Sequence, residues 1–192
     1  PVIVDDFFFF FAEFHEPLTG VQHELVIQPR MAFGTGHHAT TEMMMRQMRD
    51  LHFSGAKVFD YGCGTGILAI LAARLGAAHT DAVDIEDESY ANTLHNAALN
   101  GTPQIQAFCG TLDAVPHDVY DIILANINRN VLLDTMSNMA ERLQQEGTLL
   151  LSGILEQDVP VISESAAAQG LYPVRQLQQG DWVCIALKRR QP

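Results

Sequence analysis

From Lys57 onward, short apolar runs alternate with stretches of helical period, and few architectures accept that order. "KVFDYG" reads as a strand and "GILAILAARLG" as a helix ended by Gly76; "TDAVDI" reads as a strand and Glu86 to Asn100 as a helix closed by Gly101. "QIQAFC" and "YDIILANI" read as strands, and Asn128 to Gln145 as a helix with Gly147 just past its end. "TLLLSGI" follows as a strand, then Gln157 to Gln169 as a helix stopped by Gly170. Strands that are apolar on both faces and separated by helices imply a parallel sheet covered on each side. The end of the chain breaks the pattern. Leu171 to Gln178, the turn "QQGD" and Trp182 to Lys188 read as an antiparallel hairpin. The fold expected is α/β: a doubly wound, Rossmann-like sheet that finishes in a hairpin.

Upstream, Thr40 to Leu51 reads as a helix with Thr40 or Thr41 as its N-cap. Met43, Met44, Met48 and Leu51 form its apolar side, a spacing that belongs to a core rather than to a cofactor box. Residues 1–30 read as a β-rich extension, and residues 31–192 as one domain of ordinary size. Six of the ten phenylalanines fall within the first 14 residues, an aromatic block that must pack against something. The chain begins at Pro1 and reads as strand at once, which implies a natural N-terminus further upstream.

Composition narrows the function. The chain is 47% apolar and 18% charged, as a soluble globular domain would be, and no apolar run approaches the roughly 18–20 residues that span a bilayer. Cys63, Cys109 and Cys184 are too far apart for a zinc or disulfide pattern, which fits a reducing cytoplasm. A net charge of −12 and a pI near 4.9 argue against gripping a nucleic acid backbone. The chain is read as a monomer.

The glycine loop Asp60–Gly66, "DYGCGTG", lies between an expected strand and an expected helix. Gly62, Gly64 and Gly66 allow a tight turn and let the backbone lie against a ligand. The spacing G-x-G-x-G is one residue shorter than the dinucleotide fingerprint. Asp84, 22 residues after Gly62, ends the next strand, where one carboxylate can accept both hydroxyls of a ribose. Ile85 would then lie against the adenine ring. Asn126 ends the strand "DIILANI" and faces the crevice beyond the strand ends, or else caps the next helix. The sequence there is "NINR". Amino methyltransferases that act on planar nitrogens often read Asn-Pro-Pro-Tyr at such a place, and beside them the lack of the proline pair and aromatic implies an aliphatic amine rather than a nucleobase.

The tight glycine loop resembles the first motif of class I S-adenosyl-L-methionine-dependent methyltransferases. "AFGTGHHATT", "DYGCGTGILAI", "AVDIE", "LANI", "LLLSGIL" and "DWVCIALKR" together resemble the ribosomal protein L11 methyltransferases of bacteria, from about His15 onward. That resemblance implies a seven-stranded sheet, S-adenosyl-L-methionine as cofactor, and methylation of lysine and α-amino groups of ribosomal protein L11. It implies cofactor contacts at Thr41, Gly62, Asp84 and Asn126; Asp60, Gly64, Gly66 and Ile85 are read as further cofactor contacts beside them. "HHATT" departs from the family's usual threonine, histidine, proline series. Members usually carry a further N-terminal domain that docks the ribosomal protein, to which residues 1–30 do not correspond.

The stretch "MAFGTGHHATT" is expected to be a second glycine loop that closes over the cofactor's methionine end. Phe33, Gly34, Thr35 and Gly36 would form this lid, with Phe33 excluding water. His37 and His38 lack the spacing of helical metal ligands, so no metal site is expected. Asn126 is the candidate catalytic residue, orienting the amine or the cofactor, and no general base is named. Three other readings stay open: a methyltransferase acting on another protein or a small molecule, a nicotinamide oxidoreductase disfavoured by the glycine spacing, and a silent cofactor-binding module.

Overall fold

A computed structural model describes residues 2–4, 8–11, 20–29, 35–116 and 118–190. Three short strands come first: β1 (Val2–Val4), β2 (Phe8–Phe11) and β3 (His23–Val26) form their own sheet, with β1 antiparallel and β3 parallel to β2. Helix α1 (Thr35–Met48) follows. The main body then alternates as its sequence pattern predicts: β4 (Lys57–Tyr61), α2 (Ile67–Arg74), β5 (His79–Asp84), α3 (Asp87–Leu99), β6 (Ile105–Cys109) and β7 (Tyr120–Asn126). Then come α4 (Arg129–Glu141), β8 (Leu143–Leu155), α5 (Val159–Ala168), β9 (Leu171–Gln179) and β10 (Trp182–Arg189).

The seven-stranded sheet has the order β6-β5-β4-β7-β8-β10-β9. Strands β4 to β8 pair in parallel, and β10 inserts antiparallel between β8 and β9. Alternate side chains of each central strand go to opposite faces, and both faces are apolar. Val58, Ile122, Leu124 and Leu150 pack with Met43, Met44 and Met48 of α1 and with Ile70 and Leu71 of α2. Phe59, Ile123, Leu149 and Ile185 pack with Leu132 and Met136 of α4 and Ile162 of α5. The methionines are core, as their spacing suggests.

Two boundaries differ from expectation. Helix α1 begins at Thr35, so Thr40 and Thr41 lie inside it and neither is its N-cap. The buried methionine face docks on the sheet, and such packing outweighs the weak helix propensity of glycine and histidine in the first turn. Helix α4 ends at Glu141 rather than near Gln145. The Tyr120 amide donates to the Arg142 carbonyl at 2.7 Å, and Leu143 already pairs with Tyr120, so sheet pairing captures the chain before the helical pattern runs out. Residues 143–147 then form an irregular start to β8, with Glu146 at φ 62°.

Candidate functional site

The chain runs from β4 outward through β5 to β6, then returns to the other side of β4 with β7. The crevice beyond the carboxyl ends of β4, β5 and β7 is thus a topological switch point, where ligands of open α/β sheets bind. The glycine loop leaves β4 at that point.

Hydrogen bonds hold the loop from every side. The Gly62 and Cys63 amides donate to the Val83 carbonyl at 2.9 and 3.0 Å, and the Gly66 amide donates to the Cys63 carbonyl at 2.8 Å. The Gly64 amide donates to Asp84 Oδ2 at 2.9 Å. From α3, Thr93 Oγ1 donates to the Gly64 carbonyl at 3.0 Å, and Asn96 Nδ2 donates to the Thr65 carbonyl at 2.9 Å. With its carbonyls and amides engaged in this way, the loop is a fixed cradle.

The three loop glycines have different reasons. Gly62 adopts φ 75°, and a Cβ there would stand 2.2 Å from Ile127 Cγ2. Gly66 adopts φ 82°, and its Cβ would meet Thr93 at 3.0 Å. Gly64 also has positive φ, but nothing lies within 4 Å of its would-be Cβ. Protein fills the space beside the outer two, whereas the middle one opens on free space.

Asp84 sits beside that opening at the end of β5. Its Oδ1 accepts the Glu86 amide at 3.0 Å while Oδ2 holds Gly64, which fixes the carboxylate and leaves each oxygen a further lone pair. Ile85 follows with 68% of its surface exposed, the largest exposure among the large hydrophobics described. Asp60 lies beneath the loop, 1% exposed, its Oδ2 accepting the Ala69 amide at 3.0 Å. It therefore anchors the first turn of α2 from below. Burial pushes its carboxyl up to about 7, the Ala69 amide pulls against this, and the Asp84 charge adds to it.

Across the crevice, Asn126 Nδ2 donates to Thr41 Oγ1 of α1 at 3.3 Å. The capping alternative for Asn126 falls to Asn128, whose side chain accepts the Val131 amide at 3.1 Å and caps α4. Thr35 and Gly36 belong to helix α1, so the lid expected there is helical from Thr35 onward. Phe33 and Gly34 lie outside the described residues. The structure thus brings together Asp60, Gly62, Gly64, Gly66, Asp84 and Ile85 on one side and Asn126 with Thr41 on the other. Thr93 and Asn96 escaped the sequence reading. The signal for Asn96 was the run Asn92, Asn96, Asn100, polar residues repeating every fourth position on a face that is buried.

Comparison with known proteins points one way. A family model for ribosomal protein L11 methyltransferase (PrmA) matches residues 1–190. A Porphyromonas gingivalis protein named ribosomal protein L11 methyltransferase is 44% identical over 186 residues, covering 96% of this chain and 64% of that protein. One of the same name from Symbiobacterium thermophilum is 40% identical over 159 residues, covering 83% and 52%. The chain thus spans between half and just under two thirds of these relatives' length. The crystal structure of a ribosomal protein L11 methylase from Lactobacillus delbrueckii subsp. bulgaricus is similar with a TM-score of 0.90 at 31% identity, covering 99% of this chain and 98% of that one.

Proposed function

Because the chain belongs to the ribosomal protein L11 methyltransferase family, we propose that it moves methyl groups from S-adenosyl-L-methionine to amino groups of ribosomal protein L11. The observation that carries this is the cradle at Gly64, open on its ligand side and flanked by the fixed Asp84 carboxylate and the exposed Ile85. The donor set fits the cofactor. Asp84 has lone pairs to accept two ribose hydroxyls, Ile85 offers an apolar surface to adenine, and Gly64 admits close backbone approach.

S-Adenosylmethionine supplies, when bound, a methyl group on a positively charged sulfur that an uncharged amine can take by displacement. The protein's task is then positioning and exclusion of water. The Asn126 side chain, fixed by Thr41, presents its amide to the crevice and can orient the incoming amine through its carbonyl oxygen. A lysine amine, with a pKa of about 10.4 in water, must reach the site without its proton, and bulk water suffices to take it.

The same reading makes residues 31–192 the methyltransferase domain and residues 1–30 its β-rich extension. It also has a monomer working in the cytoplasm on a protein, without contacts to nucleic acid. No helix among the described residues is long and apolar enough to cross a membrane.

Incubation with methyl-labelled cofactor and ribosomal protein L11 tests the proposal. Label in the ribosomal protein is expected. Binding heat with NAD but none with S-adenosylmethionine would overturn it.

A further inference from the structure

Asn92 and Asn96 of helix α3 and its C-cap Asn100 form one buried stripe. Asn100 Oδ1 accepts the Val26 amide at 2.9 Å, and its Nδ2 donates to the Val26 carbonyl at 2.7 Å. Asn96 repeats the contact two residues on: Oδ1 accepts the Gln28 amide at 3.0 Å, and Nδ2 reaches the Gln28 carbonyl at 3.3 Å. The repeat follows from geometry. Four residues of helix rise about 6 Å, and two residues of extended chain advance about 6.6 Å, so side-chain amides at i and i+4 can pair with alternate residues of a strand. Each asparagine amide stands in for the peptide group of a neighbouring strand.

Asn96 does something more. The same Nδ2 that reaches Gln28 donates to the Thr65 carbonyl of the glycine loop at 2.9 Å, and it also reaches Asn92 Oδ1 at 3.2 Å. Asn96 is fully buried, so none of these bonds can be exchanged for water. His95 adds a contact from Nε2 to Gln28 Oε1 at 2.6 Å. One buried amide therefore ties the backbone at residue 28 to the backbone at residue 65. Residue 28 lies seven positions ahead of Thr35, where α1 begins and leads to Thr41.

We propose that Asn96 is a positioning residue that couples the backbone at Gln28 to the cofactor cradle, so that ligand at the glycine loop and order at Gln28 reinforce each other. The coupling rests on the proposal that the cradle binds S-adenosylmethionine. Linkage requires it to work in both directions: what steadies residue 28 tightens ligand binding, and ligand steadies residue 28. Asn100 holds Val26 rather than Gln28 and does not touch the loop, so its loss leaves the Asn96 bridge from Gln28 to Thr65 in place, which makes it the matched control.

The test is amide hydrogen exchange and calorimetry with S-adenosylhomocysteine. In the unaltered protein, saturating ligand is expected to slow exchange at Gln28 about fivefold or more, the lower end of usual couplings. Asn96→Ala and Asn100→Ala should lose comparable thermal stability, but only Asn96→Ala should raise the ligand Kd, by about fivefold or more. Ligand binding without any change at Gln28 overturns the coupling alone. So does an Asn96→Ala variant that folds and binds as tightly as the Asn100→Ala variant. No binding heat in the unaltered protein overturns the cofactor reading and the coupling together.

Discussion

Gly62 and Ile127 face each other so closely that a β-carbon on the first would stand 2.2 Å from Cγ2 of the second. Ile127 is held from the other side too, because a β-carbon on Gly153 would lie 2.4 Å from its carbonyl oxygen. The turn after β7 is thus wedged between the glycine loop and β8. Gly62→Ala combines this clash with strain at φ 75° and is expected to cost about 3–5 kcal/mol of stability. Gly64→Ala carries only the conformational strain and should cost about 1–2 kcal/mol. Chemical denaturation of both variants checks the ranking.

Asp84→Ala should weaken cofactor binding more than it alters folding. Two charge-assisted bonds to the ribose would vanish, raising Kd about 100-fold. The Gly64 and Glu86 amides, which now donate to Asp84, border open space and can turn to water, so stability should fall by only about 1–2 kcal/mol. A collapsed melting temperature with unchanged affinity would show that Asp84 is structural and that the ribose lies elsewhere.

Asn126 and Thr41 should separate in steady-state kinetics. Asn126→Ala removes the amide that faces the crevice and is expected to lower kcat about 100-fold. Thr41→Val removes only the acceptor at 3.3 Å and should cost about tenfold. Equal losses in both would mean that the pair, rather than Asn126 itself, does the orienting.

Asp60 should set a pH dependence of stability. An unfolded aspartate ionises near 3.8, whereas burial holds the folded carboxyl up to about 7. Between these values the folded state keeps a proton that the unfolded chain has lost. The stability this confers is complete below the lower value and is lost as pH rises through the upper one, a change of about 4 kcal/mol. Asp60→Asn leaves an acceptor for the Ala69 amide and removes the titration. Its unfolding free energy should therefore vary less than that of the unaltered protein from pH 4 to 7.5, as urea titrations at several pH values would show.

Much of this was written in the sequence. Glycines at 62, 64 and 66 between a strand and a helix, with an acid at 84, marked the loop that leaves β4 and meets Asp84 at the strand ends, because that geometry depends on backbone shape and one carboxylate. The apolar strands and the terminal hairpin located the sheet for a similar reason: each is a local pattern with a single burial solution. What escaped depends on distant partners. The end of α4 is decided by Tyr120, which captures Arg142 and Leu143 into the sheet. The start of α1 is decided by the methionine face that docks on the sheet. The role of Asn96 appears only when Gln28 and Thr65 come together around it, and these lie 68 and 31 residues away in the chain.

Strand β10 is made after β9 and yet lies inside the sheet, between β8 and β9. During synthesis, β4 to β8 can pair while the open edge of β8, with Leu149, Leu150, Leu151 and Ile154, waits for Trp182–Arg189 to emerge. The half of the sheet that carries the cradle thus precedes the strand that seals its neighbour. A nascent chain halted before Trp182 would display an unpaired apolar edge, the kind of surface that recruits chaperones or other unfinished chains.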